Sequence, residues 1–593
     1  MVSVQHYINR FNIWRRKHIS DRQFVLILSG LIGLVSGVAA YLMKTFVIYL
    51  KDILITHFDV EESNVMLYIY PMIGILITVL FLRWVIRDDT PHGIARILFV
   101  ISRNKGEMRK HKTFSSFIGG ALTSGFGGSA GLESPIISTG SSIGSTLASV
   151  LGLNFKTKTL LIGCGAAAAM ASIFTTPIAA VIFSMEVLML DLTATSIVPL
   201  LISSIGGAVT AKLLMSDEVL FHFSLDNHFD LPDIPYYIVL GVVAGLVSLY
   251  FNRTNYFISR LMNNIEDRRY RTGIGMLLIG LLIFIFPVLY GEGYNFLKVI
   301  INEDPAELTF WSFFYDYRYN FWIFSAFLFM VLLMKVVATT ITIESGGIGG
   351  IFAPAVFTGG ITGFLFSSIN NHINMARQLN EKSFTLVGMA AVLGGVLHAP
   401  LTAIFLAAEI TNGYHLMLPL MITTTISYVT IKFFDSHSIF HRQLAERGHL
   451  LTHHKDKAVL TLLSVSSVID KDFNTIGPEA TLGDLVKEIA KSRRNIFPVI
   501  DQDGMFLGLV AMDDVREDMF KPELYDRPAT DYMIQPLDSV STSQTMEMVM
   551  KKFNETDYYN LPVIDNGKYV GFVSRSNVFS AYRKTLLEVS LDE

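Results

Sequence analysis

The sequence has little charge and almost no cysteine. Only 17% of its 593 residues are charged, against about 25% in an average soluble protein. The few charges are unevenly placed, because residues 1–460 carry a net charge of +4 and residues 461–593 a net charge of −8. This division predicts an apolar membrane domain followed by a soluble domain, and it excludes a purely soluble enzyme.

Other absences narrow the function further. Cys164 is the only cysteine, which excludes an intrachain disulfide and a cysteine-based metal site, and we interpret it as a small core thiol. The sequence has no long run of Lys and Arg, so nucleic acid is not an expected partner. It has no HExxH motif, P-loop or nucleophile–base pair, so we expect no enzyme activity.

Apolar runs indicate a polytopic membrane protein. Basic residues precede the first run at Phe24, which favours a cytoplasmic N-terminus. Runs of the length that a spanning helix needs, about 20 residues, are 24–50, 66–86, 236–262, 273–290, 322–342 and 416–434. Apolar segments that are too short for a span, or are broken by Gly and Pro, are 117–150, 157–190, 197–214, 346–367 and 384–410. Interrupted segments are poor lipid-facing spans and often form ion sites at mid-membrane depth.

The interrupted segments occur twice with the same spacing. Gly131-Leu-Glu-Ser-Pro135 and Thr139-Gly140 correspond to Gly350-Ile-Phe-Ala-Pro354 and Thr358-Gly359. In the same order, Gly165, Pro177 and Glu186 correspond to Gly388, Pro400 and Glu409. Such preserved gaps indicate an internal duplication. Glycine-rich breaks at corresponding positions of two halves predict a binding site between the halves.

The chemistry of these breaks favours an anion. A glycine-rich break that leads into a helix presents free backbone N–H groups at the positive end of the helix dipole. The alternative is that the small residues only let helices pack closely. Glu133 lies in the first break, and an ionised carboxylate there competes with an anion until it is protonated. Glu133 is therefore a candidate gate, with a helix-capping acid as the alternative.

Three other acids lie next to apolar runs. Glu186 and Glu409 occupy matching places in the duplication, and we expect both to bind backbone N–H groups, with a proton pathway as the alternative. Glu344 precedes the second break and has no predicted role.

The soluble tail contains a second duplication. Phe497–Val515 aligns with Leu561–Val578, with a length difference of one residue in the turn, and each copy has the pattern of a small α/β module. We therefore expect an N-terminal segment at 1–22, a membrane domain at 23–445 (halves about 23–215 and 235–445), a linker at 446–465, and soluble modules at 466–525 and 526–593.

These motifs resemble those of a known family. Gly131–Pro135 resembles the G-[KR]-E-G-P motif of the CLC family of chloride channels and transporters, Gly350–Pro354 matches that family's G-[IV]-F-[AV]-P motif, and the tail resembles a pair of CBS domains. The resemblance implies an all-α polytopic membrane domain, an inverted repeat with broken helices, followed by a soluble α/β tandem CBS domain. It also implies a homodimer in a plasma or bacterial-type inner membrane, cytoplasmic CBS domains, chloride as ligand and no required cofactor.

The resemblance also assigns roles to residues. It implies that Glu133 is the gating glutamate and that the anion site includes Gly131, Leu132, Gly350, Ile351 and Phe352. The positions of the family's two hydroxyl ligands fall on His92 and Phe440, and this loss weakens the expected selectivity for chloride.

Val187 bears on the mechanism. It stands where proton-coupled members carry an internal proton-accepting glutamate, so we expect a passive, uncoupled channel, with proton–chloride antiport as the alternative. A CBS-regulated divalent-cation transporter fits less well, because the membrane acids lie on separate segments. An inert membrane anchor for a nucleotide sensor has no use for the glycine breaks.

The CBS pair offers an incomplete adenine-nucleotide site. Asp514 is the expected ribose ligand in the first module, but Ala511 and Met512 lack hydroxyls. Ser574 and Ser576 in the second module suit a phosphate, but Asn577 replaces the acid. Nucleotide binding and a purely structural or dimerising role both remain open.

Overall fold

The computed structural model describes residues 10–15, 17–56, 65–87, 93–103, 106–188, 194–214, 229–302, 305–309, 312–374, 377–411, 414–446, 463–556 and 558–590. The chain forms two compact units, Met1–Leu450 and Leu451–Glu593. Within the described residues, eight helices of the first unit are long and apolar enough to cross a membrane.

The regular elements described in the first half of the membrane unit are helices. Its helices are α1 (Asp21–Thr56), α2 (Val65–Leu80, continued by a π-helical turn Phe81–Ile86), α3 (Ile94–Arg103), α4 (Lys112–Gly125), α5 (Glu133–Val150), α6 (Phe155–Phe174), α7 (Pro177–Glu186) and α8 (Ala194–Leu214).

The second half repeats this plan. Its helices are α9 (Ile234–Asn263), α10 (Arg268–Ile285), α11 (Tyr294–Asn302), α12 (Phe321–Glu344), α13 (Phe352–His372), α14 (Glu381–Leu397), α15 (Pro400–Ile410), α16 (Met417–Phe434) and α17 (Ile439–Glu446). Short 3-10 turns occur at Leu231–Asp233, Pro287–Leu289, Pro305–Thr309, Tyr315–Tyr317 and Tyr414–Leu416.

One predicted interruption is wrong. The segment 197–214 belongs to the continuous helix α8, which carries Pro199 inside it. A membrane helix tolerates an internal proline when neighbouring groups satisfy the freed backbone carbonyl. The other breaks are present, and they separate α4 from α5, α6 from α7, α12 from α13, and α14 from α15.

The repeated glycines mark repeated helix crossings. A Cβ on Gly165 would lie 2.0 Å from the carbonyl oxygen of Gly140, so α5 and α6 touch backbone to backbone there. In the second half, a Cβ on Gly359 would lie 2.4 Å from the carbonyl oxygen of Gly388, where α13 crosses α14. The conserved spacing of the duplication therefore preserves the same close contact in both halves.

The chain also reverses at corresponding places. Helix α6 ends at Thr175 and α14 at His398, each in the left-handed conformation with φ of 56° and 55°. Two residues later Pro177 and Pro400 begin α7 and α15, the first-turn position that proline suits.

The second unit contains two small sheets. One has the strand order β1 (Ile469–Asp470), β5 (Lys568–Ser574), β4 (Asn560–Asp565), and the other pairs β2 (Ile496–Ile500) with β3 (Phe506–Ala511), all antiparallel. Its helices are α18 (Leu482–Lys491), α19 (Met512–Val515), α20 (Met546–Thr556) and α21 (Arg575–Ser590), with 3-10 turns at Val465–Ser467, Pro522–Leu524 and Ala529–Tyr532.

The two soluble modules exchange short segments. Val465 and Val468, from the beginning of the tail, lie in the apolar core of the second module beside Val563. Ala529, which follows the first module in sequence, lies in the first core beside Phe497. The predicted modules 466–525 and 526–593 are contiguous in sequence. Each apolar core, however, also contains residues from outside its own module.

Candidate functional site

The two glycine breaks meet each other. The N–H of Gly131 donates to the carbonyl of Gly350 at 2.9 Å, and the N–H of Gly350 donates to the carbonyl of Gly131 at 2.8 Å. This antiparallel bridge brings the first turns of α5 and α13 together. The site predicted between the halves of the duplication thus begins at a direct backbone contact between the halves.

Glycine is required at this contact. A Cβ on Gly131 would lie 2.0 Å from Glu133 Oε2, and a Cβ on Gly350 would lie 2.6 Å from the Cβ of Ser134. A Cβ on Gly349 would lie 2.3 Å from the Cβ of Ala130. Any side chain at these positions would separate the helix ends or displace the carboxylate.

The helix ends present amides that lack helical partners. The first intrahelical bond of α5 runs from Ile136 N–H to the Leu132 carbonyl (3.2 Å), and that of α13 from Ala355 N–H to the Ile351 carbonyl (2.9 Å). The amides before these have no acceptor within their own helix, and both ends carry the positive pole of a helix dipole.

The expected anion ligands divide into two groups here. The N–H groups of Gly131 and Gly350 are already bonded to each other's carbonyls, so they join the halves and are not free donors. Leu132, Ile351 and Phe352 are all buried at the helix ends. Their amides remain the candidate donors.

Glu133 occupies this junction. It is the first residue of α5 and is 1% exposed. Its Oε1 accepts a hydrogen bond from the hydroxyl of Tyr294 at 2.5 Å, and its carboxylate faces the amides of Glu133 itself and Ala353. Its Oε2 has no hydrogen-bond partner that meets the usual geometric criteria among the residues that the structure describes. The carboxylate therefore stands at the positive ends of two helices, where an anion is favoured.

Several residues that build this site lie outside the repeated sequence motifs. Tyr294 begins α11, and Lys335, fully buried in α12, donates to Ser129 Oγ (3.0 Å) and to the carbonyl of Gly291 (2.7 Å). Thr123 of α4 accepts from the amide of Ile348 (3.0 Å). A lone lysine within an apolar helix was the available signal for Lys335, because such a charge needs buried partners.

Glu186 and Glu409 cap each other's helices. Glu186, the last residue of α7, accepts from the amides of Leu401 (3.2 Å) and Thr402 (2.8 Å) in the first turn of α15. Glu409, near the end of α15, accepts from the amides of Ile178 (3.1 Å) and Ala179 (2.8 Å) in the first turn of α7. Both acids thus bind backbone N–H groups as expected, and α7 and α15 run antiparallel, as inverted halves require.

Among the residues that the structure describes, the other membrane residues singled out in the sequence make none of the contacts described above. Val187 follows Glu186 as a buried residue at the end of α7, and Phe440 is buried in α17. His92 lies outside the described residues. Glu344 accepts from Ser259 Oγ (2.5 Å) and Asn263 Nδ2 (3.2 Å), so it joins α12 to α9. Cys164 is buried.

One of the tail residues predicted for a nucleotide, Ser574, makes a local structural hydrogen bond, and two are exposed. Ser574 Oγ accepts from the amide of Asn577 (3.0 Å) at the beginning of α21, while Asp514 and Ser576 are exposed. The Thr542 and Ser541 hydroxyls donate to Asp565 and hold the pKa of that carboxyl below its usual value. Among the described residues, no cluster of His, Cys, Asp and Glu has the size of a metal site.

The described membrane residues thus form two halves with broken helices that meet around a buried carboxylate. The sequence profile of the voltage gated chloride channel family matches residues 73–432, and that of the CBS domain matches residues 465–521 and 529–584. The first match covers more than half of the chain. The chain therefore belongs to the voltage-gated chloride channel (CLC) family, and it is an integral membrane protein of anion transport.

Named relatives agree with this assignment. The chain is 26% identical to a ClcB-like chloride channel protein of Ralstonia nicotianae over 61% of this chain and 81% of that protein. It is 24% identical to chloride channel protein CLC-f of Arabidopsis thaliana over 72% of this chain and 60% of the plant protein. CLC-e of the same plant is 22% identical over 68% of this chain and 63% of its own length.

Solved structures confirm the fold class. A slow cyanobacterial Cl−/H+ antiporter superposes with a TM-score of 0.62 at 21% identity, covering 72% of this chain and 98% of that one. A CLC-type fluoride/proton antiporter gives 0.57 at 23% identity over 70% and 96%. A eukaryotic CLC transporter gives 0.59 at 16% identity over 93% and 97%. At these identities the likeness shows the fold alone.

Proposed function

We propose that this chain carries chloride or another small anion past the junction of α5 and α13 and that Glu133 is the gate. The observation that carries this proposal is the buried Glu133 carboxylate at the N-termini of both helices. An ionised carboxylate and a passing anion compete for the same amides. Protonation of Glu133 removes its charge, releases it from the helix ends and leaves the amides to the anion.

The proposed ligands are backbone groups. Leu132, Ile351 and Phe352 supply amides at the helix ends, and Phe440 supplies no hydroxyl. A site made of amides alone favours small anions by charge more than by size, so chloride is the proposed ligand without strong selectivity over other small anions. No further cofactor is needed for this step.

Uncoupled conduction is the proposed mode. The two oxygens of Glu186 are held by the amides of Leu401 and Thr402, and the next residue, Val187, has no titratable group to pass on a proton. Proton–chloride antiport is the second candidate. It is favoured by Glu292, a second acid close enough to Glu133 for their charges to interact.

We also propose that the working protein is a homodimer with cytoplasmic tails. Helices α7 and α8 and their counterparts α15 and α16 expose Ile178, Val198, Leu401 and Met421 by 40% or more. These exposed apolar residues lie on corresponding helices of the two halves, and we propose that a second copy covers them. Adenine nucleotide remains a proposed ligand of the CBS pair.

Glu133→Gln tests the gate. Because glutamine carries no charge at any pH, the variant in liposomes should transport chloride at a rate that no longer depends on pH, whereas the unchanged protein should be activated by acid. Glu344→Gln is the matched control, since Glu344 bonds to Ser259 and Asn263 away from the junction. Unaltered pH dependence in Glu133→Gln would remove Glu133 from this role.

The same liposomes separate the two modes. External pH recorded during chloride efflux should stay constant for an uncoupled channel. Proton uptake against a gradient, driven by chloride, would instead establish antiport.

A further inference from the structure

We propose that Tyr294 is a positioning residue for Glu133, whose hydroxyl holds the ionised carboxylate at the helix ends and so sets the pH at which the pathway opens. This inference rests on the proposed role of Glu133 as gate. It assigns a function to a residue outside both glycine breaks.

The contact between the two side chains is close and enclosed. Tyr294 Oη lies 2.5 Å from Glu133 Oε1, the short distance typical of a hydroxyl that donates to an ionised carboxylate. Both residues are buried. The Tyr294 and Phe174 rings pack edge to face with their centroids 6.4 Å apart, and the centroids of the Phe174 and Phe352 rings lie 5.6 Å apart. The phenol is thereby fixed against the end of α6 and the first turn of α13.

The turn before Tyr294 is fastened to the break that carries Glu133. The N–H of Gly291 donates to the carbonyl of Gly127 at 2.8 Å. Lys335 bonds at once to the carbonyl of Gly291 (2.7 Å) and to Ser129 (3.0 Å). The turn that leads to the donor and the break that carries the acceptor are therefore tied together by three hydrogen bonds.

Gly293 completes this placement. It has φ of 102°, and a Cβ there would lie 2.5 Å from the Phe357 ring. The backbone conformation that directs Tyr294 at Glu133 is therefore one that only glycine takes without strain.

The bond favours one protonation state. A phenol that donates to a carboxylate stabilises the ionised, seated form of Glu133. Glu292, on the same turn as Tyr294, interacts with the Glu133 carboxylate through its charge. Lys335 on α12 and Lys44 and Lys51 on α1 interact in turn with Glu292. Replacing Tyr294 leaves all of them in place, so a change in pH dependence reports on the hydroxyl.

Tyr294→Phe is the test, in liposomes containing the full chain and chloride. Loss of a hydrogen bond to a charged group should move the acid-activation midpoint up by about one to two pH units. Tyr290→Phe is the control, because it removes a hydroxyl from the same turn that is not bonded to Glu133, and its midpoint should not move. In the Glu133→Gln background, Tyr294→Phe should change nothing.

The outcomes distinguish this inference from the gate proposal. If Glu133→Gln keeps its pH dependence, the gate itself is wrong. If Glu133→Gln is independent of pH while Tyr294→Phe matches the unchanged protein, only the role of Tyr294 is wrong. Should Tyr294→Phe fail to fold, monofluorotyrosine at position 294 keeps the ring and strengthens the donor. It should move the midpoint to lower pH, and an unmoved or raised midpoint would overturn the inference.

Discussion

At the scale of single residues, Gly131 has two structural roles. Its N–H and carbonyl join the halves through Gly350, and its missing side chain leaves room for the Glu133 carboxylate. A glycine that only relieved helix crowding would need neither. The identity of this residue is therefore set by the position of an acid two residues away.

Gly131→Ala should weaken the closure of the pathway by Glu133 and leave the anion pathway itself intact. The added methyl would lie 2.0 Å from Glu133 Oε2, so the carboxylate must move out of the junction. We expect chloride flux at neutral pH to rise several-fold toward the acid-activated rate, measured by chloride efflux from liposomes.

Gly273→Ala is the control for that change. Gly273 lies in α10, and a Cβ there meets no atom within 4 Å. The prediction is wrong if the Gly131→Ala protein folds and its chloride flux at neutral pH is as low as that of the Gly273→Ala protein. The position of the Glu133 carboxylate would then not depend on the missing side chain of Gly131.

Sequence alone revealed only part of the site at this scale. Glu133 was recognisable as a lone acid inside a repeated break. Tyr294 and Lys335 were not, because neither belongs to a repeated motif and their partners are more than 150 residues away in sequence, at Glu133 and Ser129. Which distant residue a side chain reaches depends on how helices cross, and the local sequence pattern does not encode that.

At the scale of helices, α7 and α15 stabilise each other end to end. A carboxylate at the end of one accepts from two amides in the first turn of the other, where negative charge is favoured by the dipole. Preserved spacing in the sequence predicted that Glu186 and Glu409 share a role. Only the structure shows that the role is reciprocal.

Loss of either acid should therefore lower stability. Glu186→Gln or Glu409→Gln removes the charge of a helix cap, which costs about 1 kcal/mol. We expect each variant to melt about one degree lower in detergent, because the unfolding entropy of so long a chain is large, and the double variant to melt lower still. Glu266→Gln, at an exposed acid, is the matched control.

The same variants distinguish two roles for Glu186, a helix cap and a step in a proton pathway. If Glu186 only caps α15, external pH during chloride efflux should be the same in Glu186→Gln as in the unchanged protein. Melting temperatures equal to that of Glu266→Gln, together with altered proton movement, would reverse the assignment.

At the scale of the whole molecule, the two duplications are used differently. In the membrane unit the equivalent segments meet face to face, at Gly131 and Gly350 and between α7 and α15. In the tail the modules exchange segments, since β1, at the beginning of the first module's sequence, pairs with β5 of the second. Matching the repeats in sequence located both pairs of modules. It could not show this exchange, because a two-residue strand pairs with a partner about 100 residues away.

The exchange predicts which part of the tail a core substitution disturbs. Val465 is fully buried in the second core, and an unpaired carboxylate there costs several kcal/mol. Val465→Asp should therefore speed amide exchange, measured by mass spectrometry on the full chain, in 540–578 and spare 482–515. Ile476→Asp, in the first core, should do the reverse. Faster exchange of 482–515 in Val465→Asp would show that each module is built from its own contiguous sequence.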